Sequence, residues 1–145
     1  MTRAEKFFTK EEKAQIVEAI KAAEHQTSGE IRVHLENRCP IDVLDRAAYL
    51  FGKLKMHRTE KRNGVLFYLA VLDRKFAILG DVGINTVTPD DFWDNIKEAM
   101  FAAFAEGRFT DGLVEGINMA GNVLKSHFPY QQDDVNELKD DISFG

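Results

Sequence analysis

Residues 64–72 read GVLFYLAVL, nine positions without a charge, preceded by Asn63 and followed by Asp73. An apolar run of this length between turn residues reads as a strand, and a strand with no polar face is one covered on both sides. Asp73-Arg74-Lys75 then makes a short turn, and KFAILG (75–80) reads as its antiparallel partner. Upstream, EIRVHLEN (30–37) alternates Ile31, Val33 and Leu35 with Glu30, Arg32, His34 and Glu36, the period of a strand with one wetter face. Between these two strands, Ile41 to Met56 carries Val43, Leu44, Ala47, Ala48, Leu50, Phe51 and Leu54 on a helical stripe, with Asp42 and Asp45 in its first turn. Strand, helix, strand in that order predicts a parallel pair joined by a right-handed crossover, with the third strand running back beside the second.

Helices flank this unit. In FFTKEEKAQIVEAIKAAEHQTSG, Thr9 followed by Glu12 is a capping box, Ile16, Val17, Ile20 and Ala23 recur at helical spacing, and Gly29 ends the pattern. TPDDFWDNIKEAMFAAFAEG places Thr88 as N-cap, Pro89 at the first helical position, Asp90 and Asp91 in the first turn and Gly107 as the stop. DGLVEGINMAGNVLKSHF is a weaker helix whose glycines suggest close packing on a neighbour. The order α-β-α-β-β-α-α makes residues 1–128 one small α/β sandwich. Residues 129–145 form an acidic segment without periodicity, expected to be an extended or mobile tail.

The chain has 145 residues, 44% hydrophobic and 30% charged, with a net charge of −5. That balance argues against a nonspecific grip on nucleic acid or anionic lipid and favours divalent cations or basic partners. The single cysteine, Cys39, allows neither an internal disulfide nor a cysteine-based zinc site. The charged N-terminus lacks the apolar core of a signal peptide, and no stretch approaches the ~20 apolar residues of a membrane span, so a cytoplasmic location is expected.

In the proposed topology the starts of the first two strands and the end of the third share one edge. That edge gathers Ser28-Gly29-Glu30, Asn63-Gly64, Gly80-Asp81-Val82-Gly83 and, a few residues on, Asp90-Asp91. Small residues there would let backbone approach a ligand, and Asp81, Asp90, Asp91 and Glu30 offer oxygens to a hard cation such as calcium or magnesium. The same glycines serve equally as turn residues, and the aspartates as helix-start charges and a solvated loop.

TSGEIRVHLE, RNGVLFYLAVLDRKFAILGDVGI, TPDDFW and GRFTDGLVEGI, in this order and spacing, resemble the TPM domain from about Phe8 to Phe128. The resemblance implies a mixed sheet of about four strands flanked by helices in three layers. It also implies acid phosphatase activity with calcium near the site, as described for the thylakoid-lumen member. The family's SGE, NG and G-x-G motifs and following aspartate correspond to Ser28 to Glu30, Asn63 and Gly64, Gly80 to Gly83, and Asp90 or Asp91. The usual G-Y-G loop has Asp81 at its second position here, with Val82 as an added residue.

Two functions follow as expectations. One is divalent-cation-dependent hydrolysis of a small phosphomonoester, with Asp90 or Asp91 as nucleophile or base. The other is a noncatalytic module docking a protein partner, on a membrane complex for instance; the absence of a histidine or arginine from the cluster favours it. Elsewhere, His25, His34, His57 and His127 show no metal-ligand spacing and read as surface or boundary residues. Asp73 and Arg74 read as a turn, Trp93, Phe101 and Phe104 as core, and Cys39 as no nucleophile. Asp133, Asp134, Glu137, Asp140 and Asp141 lack the pattern of an EF-hand loop.

Overall fold

A computed structural model describes residues 3–131 and 141–145. Its elements are α1 (Arg3–Phe7), α2 (Lys10–Glu24), β1 (Glu30–Glu36), α3 (Val43–Lys53), a 3-10 turn (Met56–Arg58), β2 (Gly64–Ala70), β3 (Lys75–Gly80), α4 (Val82–Asn85), α5 (Asp94–Ala105), α6 (Phe109–Leu124) and β4 (Ile142–Phe144). The sheet has the order β3-β2-β1-β4. β1 and β2 are parallel, β3 is antiparallel to β2, and β4 lies parallel to β1 on its other side.

β2 is buried along its whole length, as its uncharged run requires. The pleat sends Ile31, Val33, Leu35, Val65, Phe67 and Leu69 into a core shared with Ile16 and Ile20 of α2, Ile96 and Met100 of α5, and Leu113, Ile117 and Leu124 of α6. On the other face Leu66, Tyr68 and Ala70 pack with Ala47, Leu50 and Phe51 of α3. The result is three layers, helices on sheet on helix. Thr9 caps α2 through the expected box: its Oγ1 accepts from Glu12 N at 3.1 Å and its own N donates to Glu12 Oε1 at 2.9 Å.

Four expectations change. The segment read as an extended or mobile tail supplies β4, which pairs Val33, His34 and Leu35 with Ile142, Ser143 and Phe144; the tail's Asp133, Asp134, Glu137 and Asp140 lie outside the described residues. β1 therefore has neighbours on both edges, and the face expected to be wetter is covered at His34, which stacks on Tyr68 and meets Ser143: it is 3% exposed, not a surface residue. The 88–107 helix begins later, at Asp94. Thr88 does not cap it, because its Oγ1 donates to Ile84 O at 2.8 Å and closes the end of α4 instead. Phe101 is exposed on α5, outside the core that holds Trp93.

Candidate functional site

The cross-strand partners Glu30↔Gly64 and Val65↔Gly80 put the starts of β1 and β2 beside the end of β3, so the expected loops do meet at one end of the sheet. They are bound chiefly to one another. Glu30 N donates to Asn63 O at 3.3 Å, Asp81 N to Gly64 O at 3.0 Å and Gly83 N to Arg62 O at 2.9 Å. Asn63 Nδ2 donates to Ser28 Oγ at 3.4 Å, and Gly29 N to Thr27 Oγ1 at 3.1 Å. A Cβ on Gly83 would lie 2.2 Å from the Lys61 carbonyl oxygen, and one on Gly80 3.0 Å from the Trp93 ring. These glycines bring loop against loop.

Asp81 sits at the centre. Its side chain is 4% exposed, and Arg62, 45% exposed, grips both oxygens: Nε to Oδ2 at 2.8 Å and Nη2 to Oδ1 at 2.9 Å. Val82 N also donates to Oδ1, at 2.7 Å, so Asp81 starts α4 while holding the arginine. Arg62 is the functional-type residue that sequence reasoning missed. It occupies a left-handed backbone conformation, φ 51°, just before Asn63-Gly64, and the signal for it was a cation adjoining a glycine turn. Asp90 and Asp91 lie in an exposed turn before α5. Glu30 is buried. Among the described residues no three His, Cys, Asp or Glu side chains are grouped to hold a metal ion. With both of its oxygens engaged, Asp81 does not fit as a ligand to a resident calcium or magnesium ion.

A second polar cluster lies at the far end of β1, on the α3 side. Glu36 accepts two hydrogen bonds from Arg46, Nε at 2.9 Å and Nη2 at 2.8 Å, and a further one from the Tyr68 hydroxyl. His34 stacks on Tyr68 with ring centres 6.2 Å apart, and its Nδ1 lies 2.7 Å from Ser143 Oγ. Its Nε2 is buried without a hydrogen-bond partner among the described residues, 3.9 Å from Glu36 Oε1. Burial pulls the His34 imidazole down to about 4 despite the nearby Glu36 carboxylate. Burial raises Glu36, but the Arg46 and Tyr68 hydrogen bonds outweigh it and hold the carboxyl below its usual range. Burial and the bond to Glu36 push the Tyr68 hydroxyl up. Arg32, His34 and Glu36 share one face of β1, a spacing visible in the sequence; the groups that meet His34 and Glu36 come from α3 (Arg46), β2 (Tyr68) and β4 (Ser143), and only the fold brings them there.

The fold and the loop end define a class: a small mixed-sheet α/β sandwich closed at one end by glycine-bearing loops. Residues 1–123 match the TPM domain, and the chain belongs to that family. It is similar to the BA42 protein of the psychrophilic bacterium Bizionia argentinensis, solved by NMR, with 52% identity over 96% of each chain and a TM-score of 0.91. The N-terminal domain of a protein from P. gingivalis shares the fold at 19% identity, over 86% of this chain and 82% of that one, with a TM-score of 0.62. No curated protein sequence matches the chain.

Proposed function

We propose that this TPM domain is a noncatalytic binding module whose loop end docks a protein partner. The observation that supports this reading is a rigid tip with exposed apolar side chains. Val82 and Val87 are 53% and 52% exposed, Val82 sits on the Asp81–Arg62 clamp, and Arg62, Asp90 and Asp91 supply a polar rim. Apolar side chains on a held scaffold within a charged border are the makings of a small interface. The buried carboxylate at the centre is committed to Arg62 and to the first turn of α4, a structural use of its two oxygens. The test uses Val82→Asp combined with Val87→Asp, two exposed changes that leave the core intact. A protein bound by the parent chain should bind the double variant at least about tenfold more weakly, about 1.4 kcal/mol, when both are purified. Equal binding would overturn the reading.

The second reading, hydrolysis of a phosphomonoester, draws on one observation: Arg62 gives the loop end the cationic group that phosphate chemistry requires. Under it, calcium or magnesium shifts the amides of Gly80 to Ile84 and Asp90 to Phe92. An aryl phosphate is then hydrolysed faster below neutral pH, and Asp90→Asn or Asp91→Asn slows that hydrolysis by ~100-fold or more. Under the binding-module reading all of these assays stay at background.

A further inference from the structure

We propose that a cavity at the hairpin end of the sheet, opposite the loop end, binds a small aromatic carboxylate. The cavity, of about 150 Å³, is lined by Leu69, Arg74, Phe76, Phe101, Phe104 and Phe109, and a mainly apolar space of that size accepts one six-membered aromatic ring. The ring environment suits such a guest. Phe76 meets Phe104 edge to face at 5.0 Å, Phe104 stacks with Phe109 at 5.4 Å, and a further ring entering this set adds edge and face contacts of the same kind. Phe101 stands at the mouth, 65% exposed, an apolar surface that a guest would cover.

Charge sets the guest's other end. Arg74 is the charged residue in the lining, and among the described residues no carboxylate pairs with it. The turn's own acid, Asp73, is turned away: it accepts from Arg38 Nη1 at 2.9 Å and from Cys39 N at 2.8 Å. Arg74 is held at φ 53°, a conformation that favours glycine or asparagine at a turn. An unpaired guanidinium on the wall of an aromatic pocket selects a planar anion that it can bond through two N–H groups.

The experiment titrates the full chain with benzoate and, separately, with its neutral counterpart benzyl alcohol, following side-chain NMR signals of Leu69, Phe76 and Phe104. Benzoate should give saturable shifts confined to the cavity residues and bind about tenfold more tightly than the alcohol. Arg74→Gln should abolish that preference while leaving the remaining spectrum unchanged. Phe101→Ala, an exposed change that tests the pocket without touching the charge, should weaken both ligands. No saturable shift up to the solubility limit, shifts scattered over the surface, or equal affinity for the two compounds on the parent chain would each overturn the proposal, whether or not the Arg74 variant folds.

Discussion

At the scale of single residues, Asp81 and Arg62 show how much can depend on one contact that the linear chain hides. A buried carboxylate that caps a helix and accepts two guanidinium bonds is expected to lose about 1–3 kcal/mol when replaced by alanine. Arg62→Ala should cost less, and a double-mutant cycle should return only a small coupling, because the guanidinium is half exposed to water. Urea unfolding of the three variants measures this; a loss under ~0.5 kcal/mol for Asp81→Ala would class the pair with ordinary surface charges. His34 carries a different expectation. Its ordinary value of 6.5 falls to about 4 on folding, so between those values the unfolded chain binds a proton that the folded chain refuses. Stability is therefore complete above 6.5 and declines as the pH falls towards 4, by roughly 3 kcal/mol. Glu36, held below its usual range, adds a loss of the same sign in more acidic solution. Unfolding curves between pH 4 and 7.5 should show the slope in the parent and a flatter line in His34→Gln.

Elements are where the sequence was most readable, and where glycine separates two roles. Gly52 lies inside α3, and a Cβ added to it would have no neighbour within 4 Å, so Gly52→Ala should raise stability by about 0.5–1 kcal/mol through helix propensity alone. Gly121 of α6 faces Ala23, where a Cβ would lie 2.8 Å from that residue's Cβ and 2.9 Å from its Cα. Gly121→Ala should lower stability by about 1–3 kcal/mol, since backbone has to give way. Thermal melts distinguish the two, and a gain at both positions would refute close α2–α6 packing. The capping box of Thr9 and the uncharged run of β2 were legible because their causes are local. The start of α5 was misread because Thr88 and Pro89 make a plausible cap and first turn, while the hydroxyl closes the preceding α4. The meeting of the three strand-end loops followed from strand direction alone. Arg62 did not, because its partner is 19 residues away and only the finished sheet brings them together.

For the whole molecule, the most consequential unread feature is β4. Three residues in an acidic segment carry no strand pattern of their own, and their conformation comes from β1. Ile142 is buried against the main core, Lys13 lies over the Phe144 ring at 5.3 Å, and Gly145 N donates to Leu35 O at 3.0 Å. Deleting residues 141–145 should therefore lower stability by on the order of 2–4 kcal/mol, seen as a fall in Tm; an unchanged Tm would mean that the three-stranded remainder suffices. The position of this strand also orders events in time. β1 finds β2 across a short stretch of chain, whereas His34 and Ser143 are 109 residues apart, and closing the longer loop costs more entropy and comes later. Ile142→Ala should accordingly speed unfolding and leave the folding rate almost unchanged in stopped-flow measurements, whereas a slowed folding rate would put β4 in the nucleus. Until that last strand arrives, β1 offers a row of unpaired N–H and C=O groups along one side. The chain's exposure to aggregation thus belongs to its assembly: a second copy can take the place of β4 while the sheet is being completed, and the finished domain closes that opening with its own final strand.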